Sequence, residues 1–290
     1  MKKTMGIIFA ILSSASFGLL GVFAELAYRN GSNPMTVLIA RFIIATVILF
    51  VLLLVTKRSF KVTKRQLIIL ILMGVFAYTL VTQTLFESYK YISVGLATAL
   101  NFIYPLFVCI LAFIFDKEKF TKKKMLALVI SVAGVFLLSI SNLQVKGLEG
   151  IILALASGLI YGGVVFIMGK EDIRSMDGLL VSFYCCLFAG ITVVIMGFFK
   201  HDIVFKMNLN LGISYAGIAI ISTVASLVFL QLAIKQIGSS KTAILGTFEP
   251  IIGVVASCCI LGEKLSMPII LGVVVIIIGA VLAIIDDKAS

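Results

Sequence analysis

The sequence predicts an all-α polytopic membrane protein, ten transmembrane helices arranged as two inverted five-helix repeats around a central cavity. Three observations carry this. Of the 290 residues, 61% are hydrophobic and only 13% charged, with a mean hydropathy of +1.22; soluble proteins are roughly half apolar and about a quarter charged. There is room for ten spans at about 20 residues each. The two halves of the chain also echo each other at a near-constant spacing. The first observation already excludes a soluble enzyme, a disordered chain and a disulfide-rich secreted module.

The first apolar run, 5–24, follows Lys2-Lys3 and ends in Val22-Phe23-Ala24, which resembles a signal peptide with a cleavage site. It exceeds the usual apolar core of about 7–15 residues, and it has a copy later in the chain, so it is taken as helix 1. The second run, 35–55, carries Arg41, and the third, 67–88, carries a polar stripe. The fourth, 92–115, contains Tyr104-Pro105 and leads to Glu118; the fifth is 125–141. The sixth, 148–169, copies helix 1. The seventh, 179–199, has Phe183-Tyr184-Cys185 at the level of Arg41, and the eighth is 211–234. The ninth, 241–261, contains Glu249-Pro250, and the tenth is 267–285. No segment alternates with period two, which excludes a β-barrel, and the short gaps leave no room for a soluble domain.

Net charge is +11. On a soluble protein that would suggest nucleic acid, but the cations cluster in short gaps, chiefly 57–65 and 116–124. With a cytoplasmic N-terminus, seventeen Lys and Arg fall on the cytoplasmic side and six on the other, Arg41 lying within a span. That asymmetry puts both termini in the cytoplasm, as expected for the inner or plasma membrane of a prokaryote. All five cysteines lie in apolar runs without CxxC or a nearby histidine, and are expected to be small core residues. No metal site or cofactor is expected.

Residues 6–18 (GIIFAILSSASFG) match 150–162 (GIILALASGLIYG), pairing Gly6 with Gly150, Ser13 with Ser157 and Gly18 with Gly162. One residue further on in spacing, Lys90 meets Lys235, Pro105 meets Pro250, Glu118-Lys119 meets Glu263-Lys264, and Gly134 meets Gly279. Two unrelated apolar helices would not keep such landmarks in step. Repeats of five spans each must insert in opposite senses. Inverted repeats with a site at their interface are the architecture of secondary transporters. The expected repeats are 1–143 and 144–290.

With Tyr104-Pro105 through Glu118 in one half and Glu249-Pro250 through Leu261-Gly262-Glu263 in the other, the chain resembles the drug/metabolite transporter superfamily, EamA type. The likeness covers essentially its whole length. It implies a cavity lined by helices 1, 3, 4, 6, 8 and 9, with helices 5 and 10 outside, and relatives that export amino acids and other metabolites or exchange nucleotide sugars and triose phosphates. It leaves the substrate open. Arg41 departs from the symmetry, having no basic counterpart in helix 7.

The candidate substrate-binding residues follow. Thr79, Gln83 and Glu87 recur every four residues and stack on one helix face, widened by Tyr78. Polar groups facing lipid are costly, so this stripe is expected to face protein or a wet cavity; Glu87 has the alternative of an interfacial pair with Lys90. Glu249 lies about 12 Å inside helix 9 at about 1.5 Å per residue, where a charge costs at least ~2.5 kcal/mol. It must be protonated, paired, or in contact with substrate or water, as a proton carrier or as a structural carboxylate. Pro105 and Pro250 remove the donors that would meet the carbonyls of Asn101 and Gly246, which marks those carbonyls as ligands and the prolines as hinges or simple kinks. Phe17 and Tyr161 are equivalent across the repeats and, with Tyr104, are candidate cavity walls. Arg41 either snorkels to the nearer surface or pairs with Glu25 or Glu87. Ser14–Gly18 and Gly158–Gly162 are small-xxx-small pairs for close helix packing.

No catalytic constellation is present: the single histidine, His201, falls in a loop, and neither HExxH nor GxGD occurs. The expected function is secondary active export of a small polar or amphipathic metabolite by alternating access, with Glu249 or Glu87 as candidate proton carriers. The alternatives are an uncoupled facilitator or exchanger, or a channel. The expected partners are that metabolite and the lipid bilayer, not nucleic acid, in a monomer or homodimer.

Overall fold

A computed structural model describes residues 2–88, 91–92, 97, 100–118, 121–139, 147–204, 206, 208–262 and 267–286. Ten apolar helices cross the fold: α1 (Lys3–Arg29), α2 (Pro34–Val55), α3 (Lys64–Leu85), α4 (Tyr104–Asp116), α5 (Lys122–Ser139), α6 (Leu148–Met168), α7 (Gly178–Lys200), α8 (Leu209–Ile237), α9 (Ser239–Leu261) and α10 (Met267–Asp286). Helices satisfy their own backbone, which hydrocarbon cannot do for them. Their outward faces carry Val47, Val51 and Leu54 on α2, Phe113, Ile114 and Phe115 on α4, and Val274 and Ile278 on α10. The described α4 is shorter than its apolar run. Its helix restarts at Tyr104 with Pro105 in the first turn, the one place in a helix where a missing N–H costs nothing.

Side-chain caps start α2, α3, α7 and α8. Asn33 accepts from the Thr36 amide at 2.8 Å, and Asp177 from the Leu179 amide at 2.9 Å. Thr63 and Gln66 form a reciprocal capping box, and Asn208 accepts from the Leu211 amide. α2 ends on Lys57 and α7 on His201, both left-handed with φ 51°.

The most extensive helix contacts recur when each helix is exchanged with the one five places along. α1 packs on α8 as α6 packs on α3, and α1 on α9 as α6 on α4. α2 packs on α7, α4 on α9 and α5 on α10, each pair mapping onto itself. α2 and α7 run antiparallel, because Arg58 past the end of α2 pairs with Asp177 at the start of α7. At their other ends, Asn33 bonds Asp202 at 2.7 Å. Each pair of equivalent positions, Asn33 with Asp177 and Arg58 with Asp202, is spaced as Gly18 is from Gly162.

The correspondence reaches individual atoms. The Ser13 hydroxyl donates to the Ser226 carbonyl of α8 at 2.9 Å, and its equivalent Ser157 donates to the Val81 carbonyl of α3 at 2.9 Å. A Cβ on Gly18 would lie 2.5 Å from the Glu249 carbonyl oxygen, and one on Gly162 would lie 3.0 Å from the Tyr104 carbonyl oxygen. A β-carbon at either position has no space, so glycine sets the approach of α1 to α9 and of α6 to α4. α3 and α8 each contain a π-helical stretch, Leu72–Tyr78 and Ile220–Ala225. Equivalent threonines there, Thr79 and Thr223, donate back five residues to Gly74 and Ile218. The fold is therefore two inverted repeats, and the scaffold contacts are present twice.

Candidate functional site

A small cavity lies between the repeats, lined by Ala10, Ser13, Ser14 and Phe17 of α1, Tyr104 of α4, Tyr161 of α6, Leu230 of α8, and Thr242, Gly246 and Glu249 of α9. Its volume is about 10 Å³, room for roughly one water. Tyr104 and Tyr161 meet edge to face, 4.7 Å between ring centroids at 68°. The Tyr104 hydroxyl lies against the α-carbon of Gly246, where any side chain would displace it. α9 passes through a 3-10 turn, Gly246–Phe248, before resuming at Glu249-Pro250. Ser14 reaches this break, its oxygen 3.1 Å from the Leu245 carbonyl and 2.8 Å from that of Ala10.

Glu249 is half-buried, and among the described residues its carboxylate makes no hydrogen bond or ion pair. Among the described residues, Tyr104 and Tyr161 share the cavity wall with it. Arg41 is buried at 7% exposure. Its Nε donates to the Thr223 hydroxyl of α8 at 3.0 Å, and its guanidinium lies 5.2 Å from the Phe42 ring centroid. It does not snorkel to a surface, and Glu25 pairs with Arg29 at 2.9 Å instead.

Of the residues singled out from sequence, the structure brings Phe17, Tyr104, Tyr161, Gly246 and Glu249 to this one cavity. It does not bring the α3 stripe there. Tyr78 is buried with its hydroxyl unpartnered among the described residues, and Thr79 is tied to Gly74. Gln83 donates to the Met196 sulfur of α7 at 3.1 Å, and Glu87 is exposed at the end of the helix. Lys90, Lys119, Glu263 and Lys264 lie outside the described residues. Asn101 accepts from the Ser157 hydroxyl at 3.0 Å, and its carbonyl faces Gly158. Pro105 and Pro250 sit in the first turns of restarting helices, so each marks a break in its span. Sequence reasoning missed Ala10, Ser13, Ser14, Leu230 and Thr242 as lining of the site. Ser13 and Ser14 gave a signal only as small residues of the repeat, read as packing positions.

Both faces of the protein are bridged across the repeats. On the basic face Arg58 pairs with Asp177, Lys170 with Asp116, and Arg65 with Asp172 at 2.9 Å; Ser240 donates to Glu118 at 2.6 Å. On the opposite face Asn33 bonds Asp202, the Val204 amide donates to Thr36 at 2.9 Å, and Ser32 bonds Tyr215 at 2.7 Å.

An inverted-repeat bundle with a polar cavity between its repeats defines the class: an integral membrane protein built as a transporter. The chain belongs to the EamA-like transporter family, which it matches over residues 4–140 and again over 148–285. It is 23% identical to an uncharacterized transporter of Bacillus subtilis, YyaM, over 95% of this chain and 90% of that one. It is 24% identical to an uncharacterized transporter of Clostridium kluyveri, over all of this chain and 96% of that one. A solved crystal structure superposes with a TM-score of 0.85 at 11% identity, covering 97% of this chain and 96% of the other, so the two share the fold.

Proposed function

We propose that the protein is a secondary active transporter, an exporter of a small polar or amphipathic metabolite, working by alternating access between the repeats 1–143 and 144–290. The observation that carries the reading is the cavity holding Glu249 between the repeats, with both faces bridged. Because the repeats are inverted, exchanging their conformations closes one face as it opens the other. In this reading Phe17, Tyr104, Tyr161 and Glu249 contact cargo. The helix breaks at Pro105 and Pro250 serve as hinges, and the basic face lies in the cytoplasm with both termini, as its excess of Lys and Arg favours.

Glu249 is the proposed proton carrier. It lacks a hydrogen-bond partner among the described residues and lines the cavity with Tyr104 and Tyr161. Substrate flux in proteoliposomes, measured with and without an imposed pH gradient, tests this. Wild-type flux is expected to follow the gradient and Glu249→Gln flux to ignore it. Full pH-driven flux in the variant would reduce Glu249 to a structural carboxylate.

A further inference from the structure

A second cavity, of about 460 Å³, opens on the basic face, away from the central one. Small-ligand sites span about 300–1,000 Å³. Its walls come from opposite repeats: Arg58, Ser59 and Lys61 of the loop between α2 and α3, and Ser175, Asp177 and Leu180 around the start of α7. None of these residues lines the central cavity.

The α2–α3 loop holds its wall in place. Phe60 and Val62 pack against the main core, and Ser59 and Lys61, on either side of Phe60, line the cavity. The Phe60 ring lies 5.5 Å from that of Phe50 on α2 and 5.7 Å from that of Phe183 on α7. Its carbonyl accepts from the Tyr184 hydroxyl at 2.9 Å. At one end of the loop the Arg58 amide donates to the Leu53 carbonyl at 3.0 Å. At the other, the Thr63–Gln66 capping box fixes the start of α3, and Gln66 Nε2 donates to the Asp172 carbonyl of the other repeat at 2.9 Å. A loop tied at both ends and in the middle presents its polar groups with little ordering cost left to a ligand.

The electrostatics select an anion. Arg58 and Lys61 oppose the one lining carboxylate, Asp177, so two positive charges less one negative leave the lining with one positive charge. Asp177 is already engaged, pairing with Arg58 and accepting from the Leu179 amide. The Lys61 ammonium has no partner among the described residues. The Ser59 oxygen accepts from the Lys61 amide at 3.1 Å, which leaves its proton to donate. α3 and α7 both begin beside the cavity, and each adds the positive end of its dipole. Donors converging from several directions suit the three terminal oxygens of a phosphate. The cavity also lies at the ends of the spans, where basic pockets between helices meet lipid headgroups.

We infer that this cavity binds the phosphate group of an anionic phosphoester or free phosphate, contacted by Lys61 and Ser59, and that the bound group clamps the two repeats together on the basic face. Because the walls belong to opposite repeats, such a ligand binds best where they lie together and favours that conformation. The binding is independent of the transport reading; only the clamp rests on it. A bilayer lipid and a soluble phosphate present the same chemistry, and the test separates them.

Thermal unfolding of the purified full chain is followed in neutral-detergent micelles. Inorganic phosphate is added against potassium chloride of equal ionic strength, and phosphatidylglycerol against phosphatidylcholine. At least one of the two anions is expected to stabilise the wild type in a saturable way. Lys61→Gln should raise the half-saturating concentration at least about tenfold, the scale of a hydrogen bond to a charged group. Lys64→Gln removes the same charge from the same run, outside the cavity lining, and should leave that concentration unchanged. Both lysines are exposed, so neither substitution disturbs the core. Stabilisation by phosphatidylglycerol alone would assign the site to a lipid headgroup, and by inorganic phosphate to a soluble ligand. Stabilisation by neither, or an equal loss in the two variants, would overturn the site, the latter by showing diffuse attraction to the cation run. The clamp is read from Ser14→Cys in a background without native cysteines: the stabilising anion should slow its labelling from the basic face, and should not do so with Lys61→Gln. An unchanged wild-type rate would overturn the clamp and leave the site. Absence of flux for every solute would overturn the transport reading and leave the binding result standing.

Discussion

Gly18 offers the sharpest test of how the repeats meet. A β-carbon there would lie 2.5 Å from the Glu249 carbonyl oxygen, 2.9 Å from the Ile252 β-carbon and 3.1 Å from the Gly253 amide nitrogen. Two of those three atoms are backbone and cannot rotate away. Three residues on, Gly21 is exposed with nothing within 4 Å of the same position. Overpacking a tight contact costs about 1–3 kcal/mol, whereas Gly→Ala at an unobstructed helix position gains about 0.5–1 kcal/mol. Gly18→Ala and Gly21→Ala should therefore separate by about 2–3 kcal/mol in thermal or denaturant unfolding of the purified protein. Gly18→Ala should also slow transport, since α9 must move with Glu249 on it. The other repeat supplies an internal replicate, Gly162→Ala against Gly163→Ala, because Gly163 is equally unobstructed. If Gly18→Ala proved as stable as Gly21→Ala, the close approach of α1 to α9 would be refuted, and with it the position of the cavity.

Further outcomes can be measured the same way. Ser13→Ala removes an interhelical hydrogen bond at 2.9 Å and is expected to cost about 1 kcal/mol; Ser157→Ala, whose hydroxyl lies within reach of both Val81 and Asn101, should cost at least as much, and a clearly smaller cost would speak against equivalence of the repeats. Arg58 and Asp177 are half to a third exposed, at 49% and 29%, so breaking their pair should change stability by no more than about 1 kcal/mol. It should instead raise the rate at which an impermeant thiol reagent, applied from that face, reaches a cysteine at Ser14 in a background without native cysteines. The reversed pair Arg58→Asp with Asp177→Arg should restore the original rate; no change in either variant would show that this bridge does not close the face.

The repeat was legible because small residues and prolines at matching positions have packing roles that tolerate few alternatives, as with Gly18 and Gly162. The matching ends of α2 and α7 were not legible, because capping and chain reversal accept many residue types: Asn33 and Asp177 do one job, and Lys57 and His201 another, without resembling each other. Cavity walls on α1, α4, α6 and α9 followed from symmetry and burial cost. The α3 stripe did not converge on the cavity because periodicity assumes a regular helix. The π-helical Leu72–Tyr78 stretch closes its hydrogen bonds five residues apart and turns the later residues onto other faces. Distance from the helix end leaves Arg41 a choice between the nearer surface and a pair with Glu25 or Glu87, whereas its surroundings depend on α2 lying between α7 and α8, which spacing within one helix does not record.

Inversion of the repeats underlies every functional statement made for this protein, and the sidedness of two residues tests it most directly. Lys57 and His201 are equivalent, left-handed and exposed. Single cysteines placed there, labelled in intact cells and in inverted vesicles with an impermeant reagent, should react from opposite sides of the membrane. Reaction of both from one side would contradict it.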